Sequence, residues 1–533
     1  MSNGPMTASA ILRHYRASRA DATMFVYQDQ EITWSQMWDR ATIVAAALQD
    51  EGVVKGDRVA FVDLNSPEFF ETLFGCALLG ATLVPLNWRL APAELDVVIR
   101  DAEPSIIVLR PMFGEIVGAM DSVESLKRIV VLPGDTDIDI VANDSRAVTW
   151  NEWTGERQGR DPGHHSEPDD IALLLYTSGT TGVPKGVMIS NRNIATSLDY
   201  AIDKYELNED TVSLIAMPLF HIGGIGWSMW GLCRGGRSVI LPSVDPNEII
   251  RLFETQAIQM TFVVPAALIF MLFVPGIEEK HFPHLRHIFY GASPIAEDIL
   301  VKCMTIFGCE FTQLYGMTET TGAICALEPE DHDPTGPRHY LLRSAGKPYP
   351  GVQIRIVTES GRDAEVDEVG EIWTKSDYNT PGYWRRPEAT EAAFHDGWLR
   401  TGDAAYLDKD GYLFMFDRIK DMIVSGAENV YPIEVENVLY GDARIADAAV
   451  IGVPDDRWGE AVKAVVVLKP EAQALDRATL EADLIAFCHT KLAGFKCPKS
   501  IDFVDALPRN PTGKVLKKEL RAPYWDGASR QIN

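Results

Sequence analysis

Ile171–Ser190 reads IALLLYTSGTTGVPKGVMIS. The apolar run ending at Tyr176 predicts a buried strand, and Val187–Ile189 predicts a second. Between them stand hydroxyls and glycines, Thr177, Ser178, Gly179, Thr180, Thr181 and Gly182, then Pro184-Lys185-Gly186. Glycines let backbone N–H groups approach a polyphosphate closely, while hydroxyls and Lys185 add donors and positive charge. A Walker A loop has Gly before the Lys, Ser or Thr after it, and a helix next. Here Pro184 and Gly186 flank Lys185 and a strand follows, so the loop is of another kind. The plain alternative is a hairpin tip with a solvated lysine. Six consecutive small or hydroxylated residues with a placed lysine favour phosphate binding over it.

Outward from this loop, helical and strand patterns alternate through the first 330 residues or so, as in an α/β protein with largely parallel sheets. Phe69–Leu79 is helix-like and the short apolar run Ala81–Pro85 follows it. From about Ser344 to Phe416 short β runs alternate with Gly-containing turns, which predicts a small β-rich subdomain. Beyond it Ala448–Gly452 and Val462–Lys469 read as strands and Arg477–Lys491 as an amphipathic helix. The charged stretch Asp417-Arg-Ile-Lys-Asp421 suits an exposed connector. The expected organisation is therefore an α/β N-terminal domain (1–417, β-rich over about 340–417), a hinge (418–421), and a mobile, smaller α+β domain (422–533).

The bulk numbers agree. A chain of 533 residues exceeds one hydrophobic core, and 46% hydrophobic with 23% charged residues is ordinary for a globular protein. A formal charge of -27 excludes a general nucleic-acid binder, which needs clustered Lys and Arg. The seven cysteines (76, 233, 303, 309, 325, 488, 497) contain no CxxC and no zinc-ligand spacing, so reduced thiols and a cytoplasmic location are expected. MSNGPMTASAILRHYRASRAD lacks the apolar core of a secretory signal, and the chain ends without a peroxisomal tripeptide or prenylation box. Met260–Val274, the most apolar stretch, is interrupted by Pro265. It reads as a strand (Thr261–Val264) and a buried helix, too short to span a bilayer.

YTSGTTGVPKG resembles the phosphate-loop signature of the adenylate-forming superfamily, which holds acyl-CoA synthetases, peptide-synthetase adenylation domains and beetle luciferases. Further segments resemble that family's motifs in order. Pro218-Leu-Phe-His221 resembles the segment whose aromatic side chain lies beside the acyl carboxylate. Gly291-Ala292-Ser293-Pro294 resembles the adenine-contacting segment, with Ser293 and Pro294 also reading as N-cap and first residue of a helix. In Gln313-Leu-Tyr315-Gly316-Met317-Thr318-Glu319-Thr320 the resemblance implies Tyr315 against adenine, Thr318 at the α-phosphate, and Glu319, with Thr177, at Mg²⁺. Magnesium takes one or two carboxylates plus phosphate oxygens. In Trp398-Leu-Arg-Thr-Gly-Asp403 it implies an acid accepting both ribose hydroxyls, which suits an acceptor-only carboxylate; Arg418 supports the same region. Pro508-Arg-Asn-Pro-Thr-Gly-Lys514 carries the implied adenylation lysine. It lies in a stretch, Lys491–Arg521, with eight Lys/Arg against three Asp/Glu.

The resemblance, from Gly56-Asp-Arg58 to Lys514, identifies the chain as similar to AMP-forming acyl-CoA ligases, with ATP, Mg²⁺ and coenzyme A as expected partners of a carboxylic acid. It implies rotation about Lys420 between half-reactions. Ser425-Gly426-Ala427-Glu428-Asn429 would then border the pantetheine tunnel, with Ala427 in place of a second family glycine. Trp458 and Phe495–Lys499 are further coenzyme A candidates. The implied acyl pocket comprises His221, Ile222, Gly223, Gly224, Ile225, Trp227, Trp230, Val264–Leu268, Gly316, Gly322 and Ala323. No charged residue is placed there, so an amino-acid substrate is set aside. A medium or long fatty acid is favoured over an aryl or sterol side-chain acid. Homodimerisation and peripheral membrane contact stay open.

Three rivals share parts of this pattern: an acyl-AMP ligase loading a carrier protein, a luciferase-like oxidase, and a nucleotide-binding regulator. The last would be expected to lack Lys514, Glu319 or Asp403, and all three are present. His281, His284 and His287 resemble a metal cluster, but Pro283 breaks the helix that would align them, and no acid or cysteine completes a ligand set.

Overall fold

The computed structural model describes residues 6–134, 140–177, 184–293, 295–418, 421–425, 428–455, 458–509 and 515–525. Ile171–Thr177 and Lys185–Ser190 are antiparallel strands, with Tyr176 opposite Gly186 and Thr177 opposite Lys185. They form the edge of a seven-stranded sheet. Its other strands run in the order Ala147–Thr149, Arg128–Val131, Ile106–Leu109, Arg58–Val62 and Thr82–Pro85, the last beside Ile171–Thr177. Those neighbours pair in parallel. Strands such as Ile106–Leu109 are buried at every position, as continuous apolar runs in a covered parallel sheet should be.

A nine-stranded sheet is the second half. Its parallel centre runs Glu310–Met317, His287–Gly291, Met260–Val263, Val212–Ile215, Arg237–Ile240 and Thr23–Tyr27. Gly322–Leu327, antiparallel to Glu310–Met317, and then Lys347–Pro348 close one side, and Gln30–Thr33 closes the other. The helix Pro67–Leu79 joins the two halves. It is buried on nearly every side, Glu71 being paired with Arg40, with Pro at its first position and Gly80 in the left-handed conformation at its end. Phe70 packs on Phe25 of the nine-stranded sheet at 4.4 Å between ring centroids, and Phe69 on Phe61 of the seven-stranded sheet at 5.2 Å. One helix thus fixes the distance between two sets of strand ends.

A third sheet comprises Gln353–Val357, Gly370–Lys375, Trp398–Leu407, Phe394–His395 and Leu413–Arg418. Here the structure differs from the expected connector: Asp417 and Arg418 still pair with Ala404 and Asp403, because the ladder with Trp398–Leu407 continues past the charged onset. The C-terminal module folds around the long antiparallel pair Ile445–Asp455 and Gly459–Leu468, with Ser500–Phe503 parallel beside the latter. Its helices Pro432–Tyr440 and Arg477–His489 cover a separate core that includes Val435, Leu439, Val450, Val462 and Leu484.

Two local expectations need correction or completion. The helix expected from Ser293-Pro294 begins instead at Glu297, with Ala296 as its N-cap. Ala292, at φ +68°, turns the chain first, and the helix starts where Glu297 and Asp298 place negative charge in its first turn. Of the three clustered histidines, His281 and His284 are exposed. His287 turns inward to hydrogen-bond Thr312 Oγ1 at 2.8 Å and stacks on Phe289. Among the described residues no helix is long and apolar enough to cross a membrane.

Candidate active site

In open parallel sheets ligands bind outside the carboxyl ends of strands. The sequence-predicted residues gather at such ends. Thr177 closes Ile171–Thr177, Val264 follows Met260–Val263, Gly291 closes His287–Gly291, and Tyr315, Gly316 and Met317 close Glu310–Met317. Thr318–Thr320 then make a single 3-10 turn, held by Thr320 Oγ1, which accepts from Met317 N at 2.9 Å. The returning strand approaches so closely that a Cβ on Gly316 would lie 1.8 Å from Gly322 O. Only glycine fits at 316.

That turn buries Glu319, which accepts from the Tyr383 hydroxyl at 2.9 Å. The ammonium of Lys185 lies 5.0 Å from the centre of the same tyrosine ring, a cation–π contact. Lys185, Tyr383 and Glu319 therefore form one chain across the two sheets. Burial, followed by the Glu319 charge, pushes the Tyr383 phenol well up, so it remains a donor. Sequence reasoning missed Tyr383. The segment 380–384, TPGYW, carries a turn signal followed by two aromatic residues. Its role comes from pairing with a distant strand. Met188 N donates to Gly382 O, Trp384 N to Gly186 O, and Thr380 N to Glu319 O.

Asp403 comes from the third sheet and is buried. It accepts the Tyr315 hydroxyl at 2.9 Å, and burial together with that carboxylate holds the phenol protonated. The ladder sets Arg418 opposite Asp403. Gln313 sits within Glu310–Met317, opposite Tyr290 on one side and Leu327 on the other.

His221 is the N-cap of the helix Ile222–Leu232 but does not cap it with its side chain. Its Nε2 is buried without a hydrogen-bond partner among the described residues, and Phe220 lies 4.4 Å away. Burial first, then Arg89, lowers its pKa to about 3, so the ring is neutral at physiological pH. Burial does the same to His287, also to about 3. Each such ring stabilises the fold above the unfolded value of about 6.5, and that stability is lost as pH falls from there toward 3.

Beyond His221, Ile222 faces Gly322, with 3.6 Å between its Cγ1 and a Cβ built on that glycine. Gly223 is backed by Phe262, 2.9 Å from a Cβ built there, and Gly224 by the carbonyl of Pro218. Trp227 is 5% exposed and its indole N–H donates to Leu214 O at 2.9 Å. Its ring lies 6.3 Å from Phe262 and 5.1 Å from Phe289. Trp227 is thus pinned among aromatic side chains behind the predicted pocket residues.

The coenzyme A candidates divide. Ser425 is buried in the strand Ile423–Ser425 and pairs with Gly459, next to the exposed Trp458. Glu428 and Asn429 lie on the following strand, Glu428–Val430. Ser178, Gly179, Thr180, Thr181, Gly182, Pro294, Lys420, Gly426, Ala427 and Lys514 fall outside the described residues.

Residues 12–384 match the family model described as AMP-binding enzyme. The chain belongs to the AMP-binding enzyme family. Residues 434–514 match that family's C-terminal domain. Among curated relatives, the fatty acid–[acyl-carrier-protein] ligase ScoC of Streptomyces coeruleorubidus is 37% identical over 95% of this chain and 94% of its own. The feruloyl-CoA synthase of an Amycolatopsis species is 36% identical over 94% and 96%. Among solved structures, the o-succinylbenzoate CoA synthetase of Bacillus subtilis, in complex with ATP and magnesium ion, superposes with a TM-score of 0.82. It is 28% identical over 96% of this chain and 98% of its own. This AMP-binding enzyme is an AMP-forming ligase joining an acid to a thiol of coenzyme A or of an acyl carrier protein. The ligases of its family use ATP, Mg²⁺ and coenzyme A.

Proposed function

We propose that the enzyme activates a hydrophobic carboxylic acid of medium length and transfers it to coenzyme A. The observation that supports this reading most is the chain Lys185–Tyr383–Glu319 running between two sheets, beside which the hydrogen bond from Tyr315 to Asp403 and the apolar surroundings of His221 fit the same site. The carboxylate attacks the α-phosphorus of ATP, the bond to the β-phosphate oxygen breaks, and pyrophosphate leaves. The thiol then attacks the acyl carbon and AMP leaves.

In this reading the loop 177–182, Lys185 and Lys514 carry the phosphates, while Glu319 with Thr177 holds Mg²⁺. A buried carboxylate hydrogen-bonded to a fixed phenol fits a hard cation that takes oxygen ligands. Gly291, Ala292, Ser293, Gln313, Tyr315, Gly316, Met317 and Thr318 enclose the base and α-phosphate, and Asp403 with Arg418 takes the ribose. The neutral His221 lies beside the acid's carboxylate, where a cation would hold it in the ground state. Residues 1–417 and 422–533 act as two domains about a hinge at 418–421, whose turning exchanges Lys514 for the face at 425–429.

The acid's size is read from Trp227. It lies six residues from His221, about 9 Å along a helix, and its tied N–H keeps it from swinging aside. Such a fixed indole near the predicted pocket supports a medium-chain fatty acid over a longer one. A single aromatic ring is the second reading, favoured by the aromatic side chains around Trp227 and by the likeness to a feruloyl-CoA synthase. Acids from acetate to stearate, with cinnamate-type and steroid side-chain acids, should give a thioester optimum at medium chain length. Trp227→Ala should move the optimum to longer chains, by about 10-fold in relative kcat/KM per step of bulk. A wild-type optimum at palmitate or stearate, or an optimum unmoved in the variant, would reject the medium-length reading.

A further inference from the structure

One carboxylate beside the chain Lys185–Tyr383–Glu319 is used by no step of the proposed reaction. Asp101 is the penultimate residue of the helix Pro92–Ala102, and its side chain is 11% exposed. Donors from two distant segments converge on it. The Tyr176 hydroxyl donates to Oδ2 at 2.7 Å, and Arg386 Nη2 donates to Oδ1. The Trp384 indole N–H donates to the main-chain carbonyl of the same residue at 3.2 Å. Arg58 secures this helix end. Its guanidinium donates to Ala102 O at 2.9 Å and lies 5.0 Å from the centre of the Trp384 ring. Burial, then the Asp101 charge, pushes the Tyr176 phenol up, so it stays a donor.

Both segments border the site. Tyr176 immediately precedes Thr177 and pairs with Gly186, the neighbour of Lys185. Trp384 immediately follows Tyr383, and its N–H donates to Gly186 O at 2.8 Å. We infer that Asp101 is a positioning residue for adenylation. It holds the segment carrying Tyr383 against the strand pair carrying Lys185, and so keeps the Tyr383 hydroxyl on Glu319. The inference rests on the proposed magnesium role of Glu319. Two backbone bonds, Met188 N to Gly382 O and Trp384 N to Gly186 O, define a line about which the segment can pivot. The cation–π contact and the single phenol hydrogen bond are each too weak to stop that pivoting. Asp101 stops it by gripping Tyr176 on one side of the join and Trp384 and Arg386 on the other. Misplacing a positioned group by 1 Å costs about 100-fold in rate, and part of that cost is expected here.

The test compares Asp101→Ala, Asp101→Asn and Arg386→Gln. The asparagine keeps an acceptor for the Tyr176 phenol, and the Arg386 side chain is 43% exposed, so these two variants threaten the fold least. Adenylation is read as acid-dependent exchange of labelled pyrophosphate into ATP over a magnesium series. The second step is read as thioester formed from supplied acyl adenylate and coenzyme A. Asp101→Ala should raise the magnesium concentration for half-maximal exchange about 10-fold, the other two less, and all three should leave the second step unchanged. In a Tyr383→Phe background Asp101→Ala should add little, because the contact it guards is already lost. Equal losses in both steps, or full additivity with Tyr383→Phe, would mean a structural role only and overturn the inference. Glu319→Gln, measured alongside, separates the claims. If it keeps the wild-type magnesium dependence, the magnesium assignment falls and the role of Asp101 with it. If it shifts that dependence while Asp101→Asn and Arg386→Gln do not, the role of Asp101 alone falls.

Discussion

Replacing Glu319 by glutamine is expected to lower the adenylation rate about 100-fold or more at a fixed magnesium concentration. Electrostatic stabilisation of spreading phosphoryl charge is the main service such a site performs, and one lost charged contact there costs about 100- to 1,000-fold. The replacement is nearly isosteric, and the Tyr383 hydroxyl that donates to Glu319 at 2.9 Å can still donate to the amide oxygen. The fold should therefore survive. Raising magnesium should recover part of the activity, because the defect lies in holding the ion. Tyr383→Phe keeps the charge and removes one hydrogen bond to it, so its loss should be smaller, about 10-fold. Pyrophosphate exchange measured against magnesium concentration tests both. If Glu319→Gln retains wild-type rate and magnesium dependence, the acid has no part in holding the metal.

Asp403→Ala should raise the KM for ATP about 100-fold with little change in the KM for the acid. Two hydroxyl hydrogen bonds to an ionised carboxylate stabilise by about 1.5–3 kcal/mol each. The diagnostic comparison is ATP against 2′-deoxy-ATP. Wild-type enzyme should prefer ATP by about 10-fold or more in kcat/KM, and the variant should prefer neither. Tyr315→Phe releases the hydrogen bond at 2.9 Å that orients Asp403, so it should weaken the same preference to a lesser degree. An unaltered preference for ATP in Asp403→Ala would move the ribose elsewhere.

Much of the fold was legible because its strands are short apolar runs ending in small or hydroxylated residues. Ile171–Thr177 and Lys185–Ser190 follow directly from that pattern. Strand order was not legible. Thr23–Tyr27 pairs with Arg237–Ile240, over two hundred residues away, and no local period encodes that partner. The site shows the same division. Glu319, Tyr315 and Asp403 stand in compact strings and could be named from the sequence. Tyr383 could not, because its position between Lys185 and Glu319 arises from the pairing of 380–384 with 186–188. Trp227 was read as one pocket residue among several. Its hydrogen bond to Leu214 and its contacts with Phe262 and Phe289, which hold the ring in place, depend on distant partners that the sequence does not display. The Ser293 helix cap is the reverse case, a sound local signal overruled by the turn at Ala292.

The most direct test of the central claim is the product balance of the purified enzyme. It is supplied with ATP, Mg²⁺ and a medium-chain fatty acid, and with either coenzyme A or a phosphopantetheinylated acyl carrier protein. The account predicts AMP, pyrophosphate and acyl-CoA in equal amounts, with the carrier protein a far poorer acceptor. AMP and pyrophosphate accompanied by acylated carrier protein, with no acyl-CoA, would contradict it.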